Sequence, residues 1–144
     1  MTVELPDDFD LEALLNRAIP ARLATAGPVI RPIWFIWEAG SFWWLTGDWS
    51  SLTEALQQDP EVCLVVDTCD LLSGEILTVT AWGRAEVVDF DRDRAQRKLS
   101  RYLGADPDSW PDRFAAALRR EAGEQFVRLT PRTLRARDLS FERE

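Results

Sequence analysis

The sequence predicts an α+β fold built around a small antiparallel barrel, and three observations carry that expectation. Short apolar stretches of strand length recur between turn signals, and amphipathic segments of helical period lie among them. One long β pattern, residues 75–89, is interrupted by Gly83 where a small barrel needs a corner. The expected inventory is six to seven strands and about four helices in one domain spanning residues 1–144. A chain of this length buries a core without disulfides or metal.

Residues 8–18 place Phe9, Leu11, Leu14, Leu15 and Ala18 near helical spacing, with Asp7 or Asp8 as N-cap and Pro20 as the stop. Residues 21–26 read as a first strand, with Leu23 and Thr25 placed by alternation. Gly27-Pro28 turns the chain into a second strand over residues 29–37, in which Pro32 points to an edge or a bulge.

Five of the seven Trp lie between Arg31 and Leu56. Ile33 to Trp37 and Phe42 to Thr46 should pair as a hairpin around the Glu38-Ala39-Gly40-Ser41 loop. Trp43 and Trp44 are neighbours in one strand and must point to opposite faces, one into the core and the other onto a dimer interface or under a loop. After Gly47-Asp48-Trp49, Ser51 and Glu54 have capping-box spacing and open a short helix that stops at Asp59-Pro60.

Residues 61–67 form a nearly continuous apolar run, the pattern of a strand buried on both faces. Residues 91–103 form a helix with Ala95, Leu99, Tyr102 and Leu103 on one side and basic residues on what reads as its solvated face. A second helix is predicted over residues 110–122, capped by Asp108 or Ser109 and ended by Gly123. Residues 124–130 and 133–138 complete the strands.

Composition excludes several function classes. The formal net charge of −8 argues against nucleic acid, whose phosphates require clustered basic surface. No apolar run reaches membrane-spanning length and the acidic start does not resemble a signal peptide, so no membrane partner and a cytoplasmic location are expected. Cys63 and Cys69 fit no zinc or redox spacing and read as reduced thiols. The chain has no His, which removes imidazole bases, His-containing metal sites and Ser-His-Asp triads. No catalytic side chain and no metal site are assigned, so any chemistry falls to a cofactor. Lys98 is the only lysine, against sixteen arginines, a skew associated with GC-rich bacterial genomes.

Pro32-x-Trp34-Phe35, the aromatic strand ending at Thr46, Ser50 with the amphipathic turn after it, and Asp59-Pro60-x-Val62 together resemble the pyridoxamine-phosphate-oxidase-like split-barrel family. Gly83-Arg84-Ala85 matches a Gly-x-Ala step of the same family, and the likeness covers residues 8–138. The resemblance implies a split barrel that binds FMN or the deazaflavin F420, an oxidoreductase acting on a small organic substrate, and a homodimer with cofactor sites between two barrels. It places Ile33 and Trp34 along the flavin ring, and Thr46, Ser50 and Ser51 at the phosphate end.

One departure stands out. The family often has cations after the first serine of this turn, whereas this chain has Ser50-Ser51-Leu52, then Glu54, with Asp48 in front. Arg31 on the neighbouring strand, Arg84, or an arginine from a second subunit are the candidates to replace them. The alternative is a cofactor-free binding module for an aromatic or hydrophobic ligand, with Leu52 as its signature. On either reading Trp34 and Trp43 or Trp44 are expected to line one cleft with Thr46.

Overall fold

A computed structural model describes residues 1–142. It is an α+β split barrel of nine strands and four α-helices among the described residues. The strands are β1 (Thr2–Glu4), β2 (Ala21–Thr25), β3 (Val29–Ile33), β4 (Ile36–Glu38), β5 (Ser41–Thr46), β6 (Glu61–Asp67), β7 (Leu77–Val88), β8 (Gln125–Leu129) and β9 (Thr133–Asp138). The helices are α1 (Leu11–Leu15), α2 (Leu52–Gln58), α3 (Arg92–Leu103) and α4 (Asp112–Leu118). The sheet runs β3-β2-β6-β7-β8-β5-β4, while β9 adds to β7 and carries β1 in parallel.

The corner expected at Gly83 is present. β7 pairs with β9 as far as Trp82 and with β6 as far as Arg84, and from Ala85 to Val88 it pairs with β8. A Cβ at position 83 would stand 3.1 Å from the Arg132 nitrogen and the Thr130 oxygen, so the β8–β9 connection crosses where a side chain would be crowded.

Two clusters form the interior. Phe35, Phe42, Trp44, Leu64, Val66 and Leu134 fill the barrel, and Ile36, Trp43, Leu45, Leu99, Trp110 and Phe126 lie between its outer wall and α3–α4. Trp43 and Trp44 therefore take opposite faces, as strand alternation requires. The outward one, Trp43, is covered by α3, with the Arg94 guanidinium 3.5 Å from its ring centre.

Several expectations about individual elements are corrected. The predicted strand 29–37 is broken at Trp34–Phe35, because Tyr102 and Arg101 of α3 take the backbone groups of Phe35. Its N–H donates to Tyr102 Oη at 3.1 Å and its carbonyl accepts from Arg101 Nη1 at 3.3 Å. The turn between β4 and β5 is tighter than expected: Ala39 (φ 54°) and Gly40 (φ 72°) alone form it, so Glu38 and Ser41 pair. Helix α1 starts late, since Asp8 has φ 61° and Asp10 is the cap, accepting from the Ala13 N–H at 3.0 Å.

The β6 strand alternates buried and exposed or partly exposed positions and is not buried on both faces, because only one of its faces meets the barrel interior. Helix α4 stops at Leu118; Arg120 adopts φ 55° and its Nε donates to the Glu124 carbonyl at 3.0 Å, which closes the connection before Gly123. The N-cap of α4 is Pro111, and Asp106 instead caps a 3₁₀ turn over Pro107–Ser109.

The basic residues of α3 are not simply its solvated face. Arg94 and Arg97 both bind Glu38, Arg101 donates to the Leu15 carbonyl at 3.0 Å, and Lys98 is only 5% exposed. Burial pushes the Lys98 ammonium down to about 7. Neither cysteine is in a disulfide. Among the described residues no helix is long and apolar enough to cross a membrane.

Candidate functional site

The site is built on the β2–β3 hairpin. Ala21, Leu23 and Thr25 occupy the buried face of β2, and Arg31 stands opposite Leu23, so its side chain starts on that same face. Thr25 is opposite Val29, which makes Arg31 its diagonal neighbour, within reach of a long side chain. β3 is an edge strand, so among the described residues no further strand covers Arg31. The guanidinium runs to the turn before α2: Nη1 donates to Thr25 Oγ1 at 2.8 Å and Nη2 to Ser51 Oγ at 3.3 Å.

That turn is held from several sides. Ser50 N–H donates to the Gly47 carbonyl at 3.0 Å, and Ser50 Oγ accepts from the Leu52 N–H at 3.1 Å. The expected capping box is absent: Ser51 is the N-cap of α2 but makes no side-chain cap, and its hydroxyl meets Arg31 instead. Thr46 is fully buried and its hydroxyl lies 3.4 Å from that of Thr53 on α2. Leu52 is 2% exposed and packs in the barrel, so it does not occupy a place from which a cation could face a ligand. Glu54 is exposed.

Asp48 leans away onto the α4–β8 connection. Its N–H donates to the Ala122 carbonyl at 2.9 Å, and a Cβ on Gly123 (φ 63°) would lie 3.2 Å from its carboxylate. A Cβ on Gly47 would come within 2.7 Å of Trp49 Nε1, so glycine lets that indole fold over the turn while Trp49 stays 64% exposed. The rim thus presents one guanidinium, the Ser51 hydroxyl and one open aromatic ring.

Of the residues singled out in the sequence, Arg31 and Ser51 meet directly, and Thr46 and Ser50 shape the same turn. Ile33 and Trp34 diverge. Ile33 packs against the barrel cluster, whereas Trp34 is stacked between Tyr102 (4.5 Å between ring centres, 4°) and Phe114 (5.2 Å, 13°). Trp44 is sealed in the barrel and Trp43 lies under α3. The expected cleft shared by Trp34, Trp43 or Trp44 and Thr46 is therefore not formed, because α3 and α4 supply the aromatic partners. Thr25 was visible only as an inward position of a strand; nothing in the sequence marked it as the acceptor for Arg31.

Residues 10–138 match the pyridoxamine 5'-phosphate oxidase family. The chain belongs to that family. The solved structure of a conserved hypothetical protein, Rv2991 from Mycobacterium tuberculosis, superposes with a TM-score of 0.71 at 22% identity, covering 94% of this chain and 89% of that one. A FAD binding protein from Mycobacterium smegmatis superposes with a TM-score of 0.61 at 19% identity, covering 95% and 99%. An F420 reductase gives 0.61 at 20% identity, covering 90% and 98%. Identities this low establish a common fold. Among curated proteins none matches the chain.

Proposed function

We propose that this chain binds FMN or F420 and works as a flavin- or deazaflavin-dependent oxidoreductase on a small organic substrate. The observation that supports this reading is the Arg31–Ser51 contact. An always-charged fork of donors reaches the serine turn, which in this chain lacks the cations that the resemblance leads one to expect. The helix behind the turn is short, spanning Leu52–Gln58, so recognition of a phosphate falls to Arg31 and the Ser51 hydroxyl more than to the helix end.

On this reading the chain's residues bind and orient, and the hydride chemistry is the cofactor's when it is bound. Thr46 and Ser50 fix the turn, Ile33 ends the edge strand along which the ring would lie, and exposed Trp49 supplies an apolar wall beside the phosphate end. The relatives named as a FAD binding protein and an F420 reductase favour a flavin-type cofactor over a cofactor-free module. Trp34 favours neither reading, since it is stacked on Tyr102 and Phe114. A homodimer completes the proposal: a second barrel against the β3 edge, where Ile30 is 70% exposed, would enclose the ring.

The test is titration of the purified protein with FMN and with F420, followed by flavin fluorescence and Trp quenching, with sedimentation in parallel. Saturable binding of either cofactor to a dimer supports the reading. A monomer that binds neither overturns it.

A further inference from the structure

We infer that Thr25 is the positioning residue for Arg31, holding one edge of its guanidinium so that the other edge faces the Ser51 turn. This rests on the reading just given for Arg31. An arginine on an edge strand next to solvent ordinarily samples many rotamers, and ordering it on binding costs about 0.5 to 1.5 kcal/mol per side chain. Here the ordering is already done. Thr25 is 5% exposed, rigid at χ1 because it is β-branched, and fixed in β2, and its hydroxyl accepts from Nη1 at 2.8 Å. The contact to Ser51 is longer, 3.3 Å, so Nη2 is the edge an incoming oxyanion can take over while the Thr25 bond persists.

The sequence of strands makes this arrangement specific. Thr25 and Arg31 meet only because the β2–β3 register sets Leu23 against Arg31 and Thr25 against Val29. A slip of one residue would turn Arg31 to the outer face and bring Ile30 inward. Thr25 touches no ligand on this account; it acts through Arg31.

The experiment is a double-mutant cycle on the full chain, with FMN and F420 as probes. Thr25→Val keeps the shape and removes the hydroxyl, and is expected to weaken binding about fivefold, whereas Thr25→Ser should stay within about twofold of the unaltered protein. On an Arg31→Met background Thr25→Val should add nothing. Thr25→Ala serves as the second hydroxyl-free variant if the valine variant melts early. Arginine side-chain NMR of the ligand-free protein adds a readout that packing alone would not move: the Arg31 Nη signals should be resolved and slowly rotating in the unaltered and serine variants and averaged in the valine variant.

Arg31→Met weakening the cofactor while Thr25→Val leaves both affinity and NMR signals unchanged would overturn this inference and leave the Arg31 reading standing. Equal losses in the serine and valine variants would overturn it too, since the serine keeps the hydroxyl and the loss could not then be assigned to it. Arg31→Met without effect, or failure of both cofactors to bind the unaltered chain, would remove the site reading and this inference together.

Discussion

Arg31 and Leu52 go opposite ways at the serine turn: the Arg31 guanidinium reaches Ser51 Oγ at 3.3 Å, while Leu52, the residue after Ser51, turns into the barrel at 2% exposure. Their substitutions are therefore expected to differ in kind. Glu54→Arg adds a cation on the exposed side of the turn and should tighten FMN or F420 about threefold to tenfold. Leu52→Lys places a charge in the core and should lower stability by about 2 to 4 kcal/mol with no gain in affinity. Denaturant unfolding and cofactor titration of the two single variants check both halves.

Tyr102→Phe is expected to cost about 1 to 2 kcal/mol while retaining the stack on Trp34. The lost hydroxyl accepts from the Phe35 N–H at 3.1 Å and donates to the Ile19 carbonyl at 2.9 Å, and both would be left unpaired. Urea unfolding measures the loss. Hydrogen exchange at Phe35 should accelerate selectively.

Gly83→Val should destabilise by about 2 kcal/mol or more, because its Cβ would press on the Arg132 nitrogen and Thr130 oxygen at 3.1 Å, backbone atoms that cannot swing aside. Thermal melting of Gly83→Ala and Gly83→Val should show a graded loss.

Lys98 gives the stability a pH dependence with a definite sign. Burial holds its pKa near 7 in the folded chain, against an ordinary 10.5, so between those values the unfolded chain binds more protons and stability rises with pH. The penalty is fully present below about 7 and is relieved as pH climbs through the unfolded value. Lys98→Met should raise stability at pH 7 by about 2 kcal/mol and flatten the Lys98 contribution to the profile from pH 7 to 10. Chemical denaturation across that range checks it.

The barrel was legible because its signals are local. Gly83 inside an alternating run marked the corner, adjacent Trp43 and Trp44 declared two faces, and Gly104 and Pro60 punctuated helices. Features that depend on distant partners were not. The break at Phe35 is imposed by Tyr102 and Arg101, the burial of Lys98 by the wall that α3 covers, and the fate of Trp34 by Tyr102 and Phe114. The short β1 escaped notice because Thr2–Glu4 is exposed throughout and lies in a sheet only by pairing with β9. At the site, the serine turn and Arg31 could each be named from the sequence, but their meeting depends on the β2–β3 register and the placement of α2.

The most direct test of the central claim is the affinity of Arg31→Met for FMN and F420 beside that of the unaltered protein, with melting temperatures compared to confirm folding. A charge-assisted hydrogen bond to phosphate is worth about 1.5 to 3 kcal/mol, so the variant should bind about tenfold to a hundredfold more weakly at equal stability. Equal affinity in the two proteins would contradict the account, for the phosphate would then lie somewhere other than the Arg31–Ser51 turn.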